Sequence, residues 1–232
     1  AVRASRMLES GRLASYDRQV YRAVTARTEQ SLAWAVYRML TYEKAESHVN
    51  IETEISAEEK KQGMYTVEDY YALPEDTRVE LIDGCFYDMA SPTSFHQLIA
   101  GEIYRQIANY IFEQGGPCTP FIAPADVQLD NDDRTMLVPD VFIVCNPEQI
   151  VRRNIKGAPD FILEVISPGT SKRDYIIKLQ KYENAGVREY WIVDPYQKRV
   201  LVYFFENEMC PAIYPIDADI PVNIMEGKLT VR

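Results

Sequence analysis

A chain of 232 residues that is 47% apolar, 26% charged and 11% aromatic has globular composition, which excludes wholesale disorder and collagen-like repeats. No apolar run approaches the roughly 18–20 residues needed to span a bilayer as a helix. The Arg-containing N-terminus also lacks the apolar block of a secretory signal, so a cytoplasmic protein is expected. The net charge of -10, taken whole, argues against a nucleic-acid binder.

The length suits one domain plus an appendage. Residues 1–46 read as helical, because Tyr16, Val20 and Val24, then Leu32, Val36, Met39 and Leu40, recur at spacings of three and four. Residues 47–63 are polar and rich in Glu and Lys, so 1–63 is expected to be a helical extension with a linker and 64–232 the main domain. Thr66 with Asp69 three residues on marks a helix start over Val67–Leu73, stopped by Pro74. Strands over 78–82 and 85–89 flank Asp83-Gly84, a hairpin signal. A helix over 94–114 carries Ile99, Ile103, Ile107 and Ile111 at steps of four and ends at Gly115-Gly116-Pro117. Strands are predicted over 118–122, 127–129, 135–138, 141–145 and 161–166. A helix over 171–184, closed by Gly186, precedes strands over 189–193 and 200–205 and a tail of short strands. The sum is an α/β fold, a mixed sheet flanked by helices.

Charge is uneven along the chain. Residues 1–40 carry +4, residues 41–150 carry -15, residues 151–181 carry +4 and the remainder -3. The basic segment 151–181 holds Arg152, Arg153, Lys156, Lys172, Arg173, Lys178 and Lys181. With a screening length of about 8–10 Å, such a patch can act locally inside an acidic protein; ordinary solvated charges are the other reading. The four cysteines, Cys85, Cys118, Cys145 and Cys210, form no CxxC pair, so reduced thiols are expected. Two histidines, His48 and His96, exclude a three-His zinc site. No phosphate-binding glycine loop and no GxSxG elbow occur.

The segment Pro159-Asp160-Phe161-Ile162-Leu163-Glu164-Val165-Ile166 carries the chemistry. Glu164 has only apolar neighbours, the pattern of a strand covered on both faces. Unpaired, it would cost several kcal/mol, so it is paired, protonated or bound to a cation. Asp140, after Pro139, likewise enters an apolar strand. Two acids at adjacent strand mouths can share a hard cation such as Mg2+. Asp160 is a rival, but four residues along one strand is about 13 Å, too far from Glu164 to share one ion. Lys178 lies on the stripe Tyr175, Leu179, Tyr182, where a lysine either meets a carboxylate or snorkels to solvent. Glu80, in a short apolar strand, points either to this site or to water. His96 is either a packing residue or a holder of water or phosphate.

These stretches resemble the Uma-type restriction endonuclease family, a branch of the PD-(D/E)XK nuclease superfamily. The matching residues are YTVEDYYAL (65–73), VELIDG (79–84), SPTSFHQ (91–97), VPDVFIV (138–144), GAPDFILEVISPGT (157–170) and DYIIKLQKYENAGVREYWIVDP (174–195). The resemblance covers about residues 64–232 and implies a restriction-endonuclease-like core. It implies Glu80, Asp140 and Glu164 as the ligands of Mg2+ or Mn2+, with Lys178 and His96 completing the catalytic set. The superfamily's lysine position, two residues after the Glu, is Ile166 here, and Lys178 matches the branch in which that lysine moves to the next helix. The expected activity is metal-dependent DNA endonucleolysis, with the DNA backbone held by residues 151–181. The alternative is an inactive DNA- or protein-binding regulatory module on the same fold. A homodimer is compatible with cutting both strands, though the sequence carries no signature of one.

Overall fold

The computed structural model describes residues 60–129, 133–167, 173–207 and 211–232. The helical expectation for 1–46, nearly all of the linker, and Cys210 lie outside these residues.

The first described helix begins at the start signal that the sequence carries. Helix α1 (Val67–Ala72) starts in a capping box: Asp69 accepts the Thr66 N–H at 2.8 Å and donates its own to the Thr66 hydroxyl at 3.4 Å. Strands β1 (Val79–Ile82) and β2 (Cys85–Asp88) form the expected hairpin. Asp83 and Gly84 both take positive φ, 50° and 76°, as a two-residue turn matched to strand twist requires. A Cβ at Gly84 would meet the Gly63 carbonyl oxygen at 2.8 Å. That close approach lets Gly63 and Tyr65 donate their N–H groups to the Gly84 carbonyl.

Helix α2 (Ser94–Gln114) follows, N-capped by Thr93. Then come β3 (Thr119–Ile122), β4 (Val127–Gln128), β5 (Met136–Leu137), β6 (Val141–Val144), β7 (Ile155–Lys156) and β8 (Phe161–Val165). A π-helical turn (Arg173–Lys178) runs into α3 (Leu179–Ala185), followed by β9 (Glu189–Asp194), β10 (Arg199–Phe204), β11 (Ala212–Pro215), β12 (Ile220–Pro221) and β13 (Thr230–Val231). The larger sheet has the order β11-β10-β9-β8-β6-β3, and a smaller one the order β2-β1-β5-β4-β7. β8 and β9 are parallel, so the chain between them must cross over a face of the sheet, and the π turn and α3 make that crossing. The single helix expected over 171–184 is thus, from residue 173, a π turn continued by α-helix.

The two faces of the larger sheet are covered differently. On one, Ala100, Ile103, Ile107 and Ile111 of α2 pack on Val141, Ile143, Leu163 and Trp191. On the other, Phe142, Ile162, Tyr190 and Ile192 meet Tyr182 of α3 and Leu137 of the smaller sheet. The isoleucine row is therefore the core stripe of α2, although Ile99 is only partly buried.

The thiol expectation is corrected. Cys118 and Cys145 form a disulfide, while Cys85 is free. The antiparallel register of β3 and β6 pairs Thr119 with Val144, so the two cysteines are the next facing pair. Sequence distance hides a neighbour relation that only strand pairing creates. Among the described residues, no helix is long and apolar enough to cross a membrane.

Ile107 is fully buried in the α2 stripe. Ile107→Ala is expected to lower the unfolding free energy by about 2–5 kcal/mol, read from urea denaturation by circular dichroism. A loss below about 1 kcal/mol would contradict this packing.

Candidate functional site

Strand register brings the two central acids together. Val141 lies opposite Leu163 in the antiparallel β6–β8 pair, so Asp140 and Glu164 are the next pair outward. Facing residues of this kind have Cβ atoms about 4.5–5.5 Å apart. The Val165 N–H fixes Asp140 by donating to its Oδ2 at 2.7 Å. Asp160 is excluded: its carboxylate accepts the Cys145 N–H at 2.7 Å and meets Arg188 at 3.4 Å, at the opposite end of β8.

Glu80 arrives from the smaller sheet and is 2% exposed. Its Oε1 accepts the Val138 N–H at 3.2 Å, and its Oε2 pairs with Arg173 at 3.4 Å. Lys178 joins the two sheets. Its Nζ lies 2.8 Å from Glu164 Oε1, 2.8 Å from Glu80 Oε1 and 3.5 Å from Asp174 Oδ1. The residue is 4% exposed, so it does not snorkel. The π turn puts Asp174 and Lys178 on one buried side; such turns recur at functional sites. The Tyr182 hydroxyl donates to the same Glu164 Oε1 at 2.8 Å. His96, in the first turn of α2, places Nε2 3.1 Å from Asp140 Oδ2. Its buried Nδ1 makes no hydrogen bond among the described residues.

All five expected residues line one cavity of about 450 Å³, with Asp174 and Arg173. Four carboxyl groups there share the lining with three cationic side chains, Arg78, Arg173 and Lys178. Burial pushes the Glu164 carboxyl well up, and Asp140, Asp174 and Glu80 add to this while Lys178 opposes it. Burial disfavours the Lys178 charge, but Glu164, Glu80 and Asp174 outweigh it and hold the ammonium well above the usual lysine range. The hydrogen bond to Asp140 raises the His96 imidazole against the opposing effect of its burial.

Among the described residues, no three His, Cys, Asp or Glu side chains form a ready metal cage. Glu80 and Glu164 are instead turned toward the lysine between them. Yet only one oxygen each of Asp140 and Glu164 accepts a hydrogen bond from the described residues. Asp140 Oδ1 and Glu164 Oε2 remain for a cation, whose charge would offset the excess of acids. Two carboxylates with water is a donor set that suits Mg2+.

The basic segment is divided rather than continuous. Lys178 and Arg173 are drawn into the cavity, Lys181 pairs with Asp83 at 2.5 Å, and the Arg153 guanidinium lies 3.6 Å from the Tyr71 ring centroid.

The model of the Uma2 family, described as putative restriction endonuclease, matches residues 67–218, the whole stretch that builds this cavity. The chain belongs to this family. An uncharacterised protein of Synechocystis sp. is similar, 25% identical over 125 residues, which are 53% of this chain. The match spans 64% of that relative's length. A solved crystal structure, a putative nuclease belonging to DUF820 from Anabaena variabilis, is similar with a TM-score of 0.59 and 23% identity. The similarity covers 72% of this chain and 93% of that one and establishes a shared nuclease-like fold.

Asp174, Arg173 and Tyr182 escape assignment to the site from sequence. Tyr182 reads as part of an apolar stripe, and its hydroxyl partner is invisible there. Asp174 is four residues before Lys178, a spacing that alone could have signalled a pair.

Removing the ammonium leaves buried acids facing one another. Lys178→Met is expected to cost about 3–5 kcal/mol in urea denaturation near neutral pH. Adding Glu164→Gln should recover part of the loss. A single-variant cost below about 1 kcal/mol would show that the ammonium does not hold the site.

Proposed function

We propose that this protein is a divalent-cation-dependent DNA endonuclease. The observation that carries the reading is the pairing of Asp140 with Glu164 across β6 and β8, with the Lys178 ammonium 2.8 Å from the Glu164 carboxylate. Membership of the Uma2 family and the nuclease-like fold support it.

Asp140 and Glu164 would hold Mg2+ or Mn2+, with Glu80 reaching it directly or through water. Such an ion supplies Lewis-acid polarisation of a phosphoryl oxygen and an acidified water. The protein's own residues position the rest. Val165 N–H and His96 fix the Asp140 carboxylate through Oδ2, and Tyr182 with Lys178 fixes Glu164 through Oε1. Each acid then offers its other oxygen in a set direction. Lys178 would donate to charge that develops on the phosphate as the bond breaks. Arg78, which also lines the cavity, would contact a flanking phosphate, with Arg152 and Lys156 as further contacts outside it.

A second reading, an inactive binding module, draws on Ile166. It is buried and apolar where the superfamily carries its lysine. Against it stands the geometry of Lys178, which supplies an ammonium to the same carboxylate from the following helix.

Supercoiled plasmid DNA should be nicked when Mg2+ or Mn2+ is supplied and spared when the ion is chelated. Asp140→Asn and Glu164→Gln are each expected to slow nicking about a hundredfold or more, a loss typical of removing a charge-stabilising group. Equal nicking by wild type and both variants, or none with either ion, would remove the endonuclease reading.

A further inference from the structure

We infer that the cavity receives an unpaired DNA strand, gripped by two aromatic side chains at its mouth, rather than the side of a continuous duplex. This rests on the nuclease reading of the cavity, and it specifies the form of the substrate.

Phe95 and Tyr196 both line the cavity that contains Asp140 and Glu164. They are 62% and 64% exposed, which is unusual for two large rings beside one charged site. Neither ring is in contact with another aromatic ring among the described residues.

Their backbones are held firmly. Phe95 sits in the first turn of a 21-residue helix whose N-cap, Thr93, accepts the His96 N–H at 3.1 Å. Tyr196 follows β9 in a turn tied to the buried Asp194, whose Oδ1 accepts the N–H groups of Tyr196 and Gln197 at 3.0 and 2.9 Å. The Tyr175 hydroxyl secures Asp194 from the other side at 2.7 Å. β9 runs parallel to β8, so this turn leaves the sheet at the end where Glu164 lies. Solvent-facing rings on an anchored backbone beside such a site can serve as stacking platforms, because every base offers a π face.

The charge distribution points the same way. A protein that tracks a duplex neutralises many phosphates with Lys and Arg. Here the lining cations are Arg78, Arg173 and Lys178, of which Lys178 and Arg173 already face carboxylates. The chain as a whole carries -10. A cavity of about 450 Å³ is of small-ligand size, suited to one or two nucleotides. Binding through stacking with few phosphate contacts fits all three facts.

The test is fluorescence anisotropy with the full chain, without divalent ion, on a labelled oligothymidylate and on a blunt duplex of equal length. The single strand is expected to bind at least about tenfold more tightly. Phe95→Ala and Tyr196→Ala should each weaken that binding about tenfold and leave duplex binding unchanged, while Phe95→Trp and Tyr196→Phe retain it. Equal or tighter duplex binding, no binding of the single strand, or alanine variants that bind like wild type would overturn the inference. Because the readout needs no cleavage, a protein that grips the single strand through these rings but cuts nothing would sustain this inference while refuting the nuclease reading. One that nicks plasmid but prefers duplex would do the reverse.

Discussion

The Lys178 ammonium is the point on which the rest of the structure turns. It is buried among three carboxylates that come from different places: Glu80 on the smaller sheet, Glu164 on the larger, and Asp174 on the π turn. Taking a single charge out of water costs several kcal/mol unless partners surround it. The same contacts that stabilise this ion therefore fix how the two sheets and the crossover helix meet. The fold and the candidate site are held by one cluster.

The cluster remains unbalanced in a useful way. Four carboxyl groups share the cavity with three cationic side chains, and burial raises the Glu164 carboxyl further. Glu164 directs one oxygen to Lys178 and Tyr182, and Asp140 directs one to His96 and Val165. The partners thereby orient both acids and leave the site with negative charge that an incoming cation can neutralise. On the proposed function, a cation held here would offset the repulsion between these acids and a phosphodiester, which would reconcile an acidic protein with such a substrate.

Much of this was legible in the residues, and the exceptions share a cause. The hairpin at Asp83-Gly84, the capping box at Thr66 and the extent of α2 follow from local chemistry, so the sequence marks them directly. The choice of Asp140 over Asp160 as the partner of Glu164 needed only the rise of a strand. Whether Glu80 faces water or the site, and whether Lys178 snorkels, depended on contacts between elements far apart in the chain, and alternation could not decide them. The Cys118–Cys145 bond was missed for the same reason, since it exists through the β3–β6 register. The short β7 (Ile155–Lys156) has too few residues to carry a period, and Tyr182 hides a polar role within an apolar stripe.

The central claim is that Asp140 and Glu164 together hold a divalent cation. A crystal of the full chain soaked in Mn2+ and measured for anomalous scattering tests it most directly. An anomalous peak bridging the carboxylates of Asp140 and Glu164, lost in Glu164→Gln, is the expected result. A wild-type crystal with no peak there, or with manganese bound only elsewhere, such as beside Asp160, would contradict it.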